Sequence, residues 1–244
     1  MPTTGQPPDV TVLGAGVVGM ATAWAAARRG LSVELIDRAA GPARGASFAN
    51  GAQLSYAYTD AMAGPWLWKQ IPALLCGSDP AFRVRLRGNP SIWRWGLSLL
   101  NHASHARMQR NTLSTLALAR ASQQAMVELL GRHPIEFQHR TAGKLHLYFS
   151  DPALRAGARM VELKRSHGVR QTVLDAEGAR QVEPALEQIA GIRGAVYSPD
   201  EAVGDPWRFA GGLLDTLRRD YPVSARFGFD LETLQRSGRH WLLR

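Results

Sequence analysis

Cysteine is almost absent: Cys76 is the only one in 244 residues. That excludes disulfide scaffolds, cysteine-rich zinc sites and CxxC redox pairs, and it favours a reducing compartment. A charged leader is missing too. Met1 to Asp9 carries no Lys or Arg, so nothing there reads as a signal peptide. One uncharged run, Val10 to Ala27, approaches the length of a membrane span. Gly14, Gly16 and Gly19 interrupt it, and a strand followed by a small-residue helix explains it better. Internal repeats, low-complexity tracts and blocks of like charge are lacking, and no nucleic-acid motif is present. Nucleic acid is therefore not an expected partner.

Apolar residues make up 45% and charged residues 20%, a globular composition with room for one large or two intertwined domains. The net charge is +9, from 29 Lys and Arg against 20 Asp and Glu. The cations are scattered as Arg-Arg pairs and singles, which reads as solvated surface and leaves anionic lipid open as a partner.

Residues 10–13 read as a buried parallel strand, followed by a glycine turn and a helix from Val17 to Arg29 that Gly30 ends. A second strand runs from Leu31 to Ile36, closed by Asp37, and a small-residue loop covers 39–53. From Pro65 to Leu100 the chain is rich in Trp and Pro, with Pro90 opening a helix to Asn101. One long helix is expected over 107–131, stopped by Gly131. Strand character follows over 135–149, then a helix capped by Asp151 that runs to Gly168. A strand at 171–174, a helix after Asp175 and a strand at 192–197 come next. Asp205-Pro206 starts a helix to Asp220, a strand spans 223–229, and 231–235 with 240–243 form a hairpin around Ser237-Gly238. The sequence ends directly after Trp-Leu-Leu, from which we expect a further element to be missing.

Two motifs point to chemistry. The first is Gly14-Ala15-Gly16-Val17-Val18-Gly19. It has a strand before it, a helix after it and an acid, Asp37, about 20 residues on, which is the dinucleotide-binding βαβ pattern. Gly14 permits the tight turn, Gly16 lets a pyrophosphate reach the backbone, and Gly19 lets the helix lie close to the sheet. The helix start offers free N–H groups to phosphate. Asp37 accepts from a ribose 2′-hydroxyl and disfavours a 2′-phosphate, so NADP is not expected. The second motif is Gly45-Ala46-Ser47-Phe48-Ala49-Asn50-Gly51-Ala52-Gln53. It reads either as a plain surface loop or as a small-residue path along a pyrophosphate, with Ser47 and Asn50 supplying hydrogen bonds.

Together with the Trp/Pro-rich stretch, these motifs resemble the FAD-dependent amino-acid oxidoreductases of the D-amino-acid oxidase superfamily, and among them the bacterial D-amino acid dehydrogenase small subunits. The resemblance rests on residues 12–19, 36–38 and 49–55, the strand 143–148, Val-Glu-Pro-Ala-Leu at 182–186, and Asp200-Glu201 with Gly204-Asp205. It implies an α/β fold: a Rossmann-like FAD-binding domain, 1–85 and 198–244, with an inserted α+β substrate domain, 86–197. It implies oxidation of D-amino acids to 2-oxo acids and ammonia, with electrons passed to a membrane acceptor. FAD would contact Gly14, Ala15, Gly16, Val17, Val18, Gly19, Asp37, Arg38, Ala46 and Ser47, with Asn50, Gly51 and Gln53 nearer the flavin. A cytoplasmic place follows, with peripheral attachment to the inner face of the plasma membrane as a further expectation. Members of the family are longer, and their substrate-holding residues lie in the later half, so no catalytic residue is assigned here.

Two other readings stay open. An NAD-linked dehydrogenase shares the βαβ unit but gives no reason for the 45–53 loop. A truncated remnant, or one chain of a split flavoprotein, would account for the ending. His102 and His105 lie three apart without an acid or cysteine to complete a metal site, so they read as polar surface. His133, His139, His146, His167 and His240 read the same way. The tryptophans at 66, 68, 93 and 95 read as core or pocket wall in preference to an anchor at an interface or membrane edge, Cys76 as a buried or half-buried thiol, and Arg83, Arg85 and Arg87 as a solvated face.

Overall fold

The computed structural model describes residues 7–76, 90–238 and 240–244. Arg83, Arg85 and Arg87, and the side chain of Cys76, lie outside the described residues.

Along the chain, β1 (Val10–Leu13), α1 (Val17–Ala27) and β2 (Val33–Asp37) come first, followed by the short β3 (Gln53–Leu54). Then come α2 (Leu67–Cys76), α3 (Pro90–Asn101) and α4 (His105–Arg132). β4 (Lys144–Tyr148), α5 (Asp151–Arg165), β5 (Thr172–Asp175) and α6 (Ala176–Val182) precede a 3-10 turn at Pro184–Gln188. β6 (Gly194–Ser198), β7 (Ala202–Val203), α7 (Pro206–Asp220), β8 (Val223–Phe227), β9 (Leu234–Ser237) and β10 (His240–Leu243) follow.

Contacts divide these elements into two units. The first holds Met1–Leu54, Val127–Thr141 and Ala202–Arg244, and the second holds Ser55–Met126 and Ala142–Glu201. The chain crosses after 54, 126, 141 and 201, against the expected blocks 1–85, 86–197 and 198–244. The short return at 127–141 belongs to the first unit because Ile135 and Phe137 are buried there, Phe137 meeting Phe209 edge-on at 5.1 Å.

The first unit is built on a parallel sheet of order β1-β2-β8. Val10 lies opposite Val33, and Val33 opposite Val223. α1 buries Met20, Ala23, Trp24 and Ala27, the i, i+3, i+4, i+7 stripe of a helix lying on a sheet. α7 packs against α1 and buries Phe209, Ala210, Leu213, Leu214 and Leu217. Its start is fixed by Asp205, whose Oδ1 accepts from the N–H groups of Trp207 at 2.9 Å and Arg208 at 3.0 Å. Arg226 on β8 pairs with Glu34 on β2 at 2.8 Å.

The second unit carries an antiparallel sheet of order β4-β6-β5, with Lys144 opposite Ser198 and Thr172 opposite Tyr197. Ala179, Leu186, Ile192 and Ala195 form one core cluster, which Leu145 and Leu147 join. Ala63, Leu67 and Ala103 form another, with Leu99 and Leu100 against it. The expected fold class is thus what is found: a Rossmann-like α/β part with an α+β part inserted in the chain.

Several local expectations need correction. α4 continues through Gly131 to Arg132. The cap of α5 is Ser150, whose Oγ accepts from the Ala153 N–H at 3.4 Å, while Asp151 sits inside the first turn. β6 starts at Gly194 rather than Ile192, and β8 ends at Phe227. α2 and the β3–β7 pair were not anticipated.

Candidate functional site

In the first unit, the glycine turn between β1 and α1 takes a conformation that side chains resist. Gly14 has φ +102°, and its N–H donates to Ile36 O at 2.7 Å, tying the turn to the end of β2. Asp37 closes the turn from the other side. Its Oδ2 accepts from the Ala15 N–H at 2.6 Å and its Oδ1 from the Ala39 N–H at 2.8 Å. A carboxylate oxygen has two acceptor sites, so each keeps one for an incoming hydroxyl.

α1 begins without a cap of its own, because its N-cap is Gly16 and its first turn holds no acid. The cap comes from far along the chain. Ser47 Oγ accepts from the Val17 N–H at 3.2 Å, and its own hydroxyl hydrogen remains available to an anion. The 39–53 loop is bent back by the Ala43 N–H, which donates to Ala15 O at 2.9 Å. The structure thus gathers Gly14, Ala15, Gly16, Val17, Val18, Gly19, Asp37 and Ser47 at one helix start. Asn50 turns inward on its own loop, its Oδ1 accepting from the Ala52 N–H at 2.8 Å, and Gln53 pairs with Val203 in the β3–β7 ladder.

Beside the turn lies an open cleft of about 230 Å³, walled by Gly14, Asp37, Arg38, Phe229 and Asp230 among others. Phe229 and Asp230 escaped the sequence reading. They reach the cleft because the Gly228 N–H donates to Ala39 O at 2.9 Å and the Phe229 N–H to Asp37 O at 3.2 Å. A helix start free of acids, a bare backbone at Gly16, a ribose-accepting acid and an adjoining cleft fit the ADP half of a dinucleotide. Ser47→Ala should raise the FAD dissociation constant about fivefold with a melting point only slightly lowered. Asp37→Ala should cost more on both counts, about 1–3 kcal/mol of stability, since two part-buried N–H groups lose their acceptor. Calorimetric FAD titration paired with thermal melts separates the two outcomes.

The second unit holds a polar cluster of its own. Lys144, His146 and Tyr148 alternate along β4 onto one face. Tyr58 stacks on His146 at 4.9 Å, His146 meets Tyr148 at 4.9 Å, and Lys144 Nζ stands 4.4 Å from the Tyr58 ring centre. Lys164 of α5 is 2% exposed, and its Nζ donates to Asp60 Oδ1 at 2.8 Å and to Ala57 O at 2.9 Å. Glu201, also buried, accepts through Oε1 from the N–H groups of Tyr56 at 2.9 Å and Ala57 at 2.6 Å. Between Tyr58, Asp60, Lys144, His146, Tyr148 and Lys164 remains a cavity of about 10 Å³, at the lower limit for one water.

Burial pushes the Tyr148 hydroxyl up to about 12, helped by Asp60 and Tyr58. Burial first, then Lys144, hold His146 below its ordinary value, with Asp60 pulling back in part and Lys164 adding to the depression. A histidine whose folded pKa is depressed gives its stability in full above the unfolded value, 6.5, and loses it as pH falls toward the folded value. The melting point should therefore drop more between about pH 7 and pH 5 in the native chain than in His146→Phe, read by scanning calorimetry at each pH.

The histidine readings divide on inspection. His102 is exposed and bonds Asn111 at 3.1 Å. His133 is not plain surface: Nε2 pairs with Tyr221 Oη at 2.9 Å and Nδ1 with Asp220 at 3.3 Å. His139 stacks on Phe137 at 5.1 Å, and His146 belongs to the cluster above. The reading of the tryptophans as core is overturned, since Trp66, Trp68, Trp93 and Trp95 are all exposed.

Compared with known proteins, residues 9–244 match the family model described as DAO, FAD dependent oxidoreductase. The chain belongs to this FAD-dependent oxidoreductase family. It is 36% identical over 233 residues to a protein named D-amino acid dehydrogenase 2 from Ralstonia nicotianae, covering 95% of this chain and 55% of that one. It is 32% identical to D-amino acid dehydrogenase from Paramagnetospirillum magneticum, with 94% and 54% covered. The chain spans about half the length of the curated relatives it matches. Among solved structures, glycine oxidase from Geobacillus kaustophilus superposes with a TM-score of 0.66 at 17% identity, over 97% of this chain and 50% of that one. L-alpha-glycerophosphate oxidase from Mycoplasma pneumoniae with FAD bound gives 0.65 at 13% identity, over 98% and 49%. At those identities the two structures speak to the fold. FAD, rather than NAD, is the cofactor of the family.

Proposed function

We propose that this chain grips FAD at the β1–α1 turn and serves the oxidation of D-amino acids to 2-oxo acids and ammonia, with electrons leaving for a membrane acceptor. The observation that carries the substrate class is the 36% identity to a D-amino acid dehydrogenase across 95% of this chain. The cofactor assignment to particular residues rests on the turn. The backbone around Gly16 and the start of α1 take the pyrophosphate, Ser47 donates to it, and Asp37 accepts from the ribose. Asn50, Gly51 and Gln53 lie further along the same path, toward the flavin end. Bound FAD supplies a two-electron acceptor for the hydrogen on the substrate Cα. The protein's part is to bind and orient, and no general base is required when the amine arrives neutral.

The test is direct. The purified chain should take up FAD stoichiometrically and show flavin absorbance, while NAD at the same concentration gives no saturable signal. Anaerobic addition of D-amino acids should bleach that absorbance, and the L-isomers should leave it unchanged. Absence of flavin after incubation with FAD would remove the cofactor assignment. Bleaching by L-isomers alone would keep the cofactor and overturn the substrate class.

A further inference from the structure

Glu201 is 2% exposed, yet the protein satisfies only one of its carboxylate oxygens. Oε1 accepts from the Tyr56 N–H at 2.9 Å and the Ala57 N–H at 2.6 Å. Oε2 is equally hidden and has no hydrogen-bond partner among the described residues. The guanidinium groups nearby are engaged elsewhere. Arg170 Nε donates to Asp200 Oδ2 at 2.8 Å, Arg120 donates to Gly168 O, and neither is ion-paired with Glu201. A buried charge is ordinarily paired, and a buried acceptor ordinarily finds a donor. Glu201 has the donor at one oxygen and lacks both at the other.

The same side chain lines a cavity of about 40 Å³, with Tyr56, Arg120, Gln123, Gly168 and Asp200 also on its walls. All of these residues belong to the second unit. One water needs about 10–15 Å³ measured in the same way, so a group of a few heavy atoms fits here. Burial first, and then the charge of Glu201, hold the Tyr56 hydroxyl above its ordinary value, so that wall stays neutral.

The chemistry of the walls narrows the occupant. Among the described residues no group of three His, Cys, Asp or Glu could hold a metal ion, and divalent cations take about six or more oxygen ligands. Water would donate to Oε2 but leave its charge unpaired. A primary ammonium group does both, since it brings one positive charge and three N–H donors. Gln123 and Asp200 offer further acceptors on the same walls.

We infer that the Glu201 cavity binds a primary ammonium group, carried by free ammonium or by a small amino acid. The inference goes beyond the flavin reading and uses no residue of the cofactor turn, so the two fail separately. The full 244-residue chain, with and without added FAD, is titrated at constant ionic strength with ammonium, methylammonium, tetramethylammonium and sodium chlorides, and with glycine. The Tyr56 and Ala57 amide resonances are followed by NMR, because both groups donate to Glu201. They should move saturably with ammonium or glycine, and methylammonium should act as ammonium does. Sodium and tetramethylammonium, which has no N–H, should leave them unchanged. Arg120→Gln separates the two sources. It removes a like charge and should tighten free ammonium about threefold, whereas glycine, whose carboxylate Arg120 would meet, should weaken by a similar factor. Glu201→Gln keeps an oxygen for the two N–H groups and sets an NH2 donor in place of Oε2. It should weaken binding about tenfold or more. The salt controls are read on the native chain, so the test stands even if that variant fails to fold. No saturable shift with ammonium or glycine, a shift that sodium or tetramethylammonium reproduces, or undiminished binding by Glu201→Gln would each overturn the inference, whatever the flavin content.

Discussion

Gly19→Ala should abolish FAD binding and cost the chain a large share of its stability. A Cβ at position 19 would stand 1.8 Å from Gly14 O and 2.9 Å from Gly14 C. Both atoms are backbone and cannot rotate aside. Relief requires α1 to lift from the turn, which breaks the Gly14–Ile36 bond at 2.7 Å or the Ala15–Asp37 bond at 2.6 Å. α1 also carries buried Met20, Ala23, Trp24 and Ala27, so lifting it opens the core of the first unit. Overpacking of a core side chain costs about 1–3 kcal/mol, and a backbone collision with loss of hydrogen bonds should exceed about 3 kcal/mol, against a typical total of about 5–15 kcal/mol.

Gly16→Ala supplies the contrast. Its Cβ would meet only Ser47 Oγ, at 3.1 Å, and a hydroxyl can give by a few tenths of an ångström. The fold should survive with a melting point within a few degrees of the native one. The FAD dissociation constant should nevertheless rise about 100-fold, because the methyl group occupies the pyrophosphate's approach to the backbone. Circular-dichroism melts and FAD titration of both variants decide the matter. A Gly19→Ala chain that melts and binds like the native one would show that the turn is not the constraint described.

What the sequence disclosed was mostly local. The Asp205 cap and the β9–β10 hairpin depend on residues a few positions apart, the β1–α1–β2 unit on residues 22 to 23 apart that a known motif spacing links, and each was readable. Partnership across long separations was not. Nothing in Val223–Phe227 says that it joins β2, some 190 residues earlier, and so Phe229 and Asp230 were not seen as walls of the cleft. Ser47 was legible as a contributor of a hydroxyl, but not as the cap of a helix 30 residues away. The start of β6 is set by its pairing with β4 and β5, which leaves Ile192 outside the strand although it is buried. Pro72 hid α2, because a proline reads as a break and the helix nevertheless runs past it.

The cluster around Lys164 shows the same limit, since an isolated lysine on a helix reads as surface until its depth is known. Asp60→Ala should destabilise the chain by about 3 kcal/mol, the lower end of what breaking a buried ion pair costs. The lower end applies because Asp60 is itself 28% exposed, so water can reach the vacated place. Lys164 is 2% exposed and would keep only Ala57 O as a partner. Lys164→Met should be milder, about 1–2 kcal/mol, since the thioether fills much of the same channel and leaves no stranded cation, only Ala57 O and a part-exposed carboxylate. The two changes should not add. In the double variant the loss of Asp60 no longer strands a charge, so the chain should be more stable than Asp60→Ala alone by about 1 kcal/mol or more. Urea unfolding of the four proteins measures this coupling. Simple additivity would mean that solvent, not Asp60, already satisfies the Lys164 ammonium, and the burial of that side chain would then have a different cause.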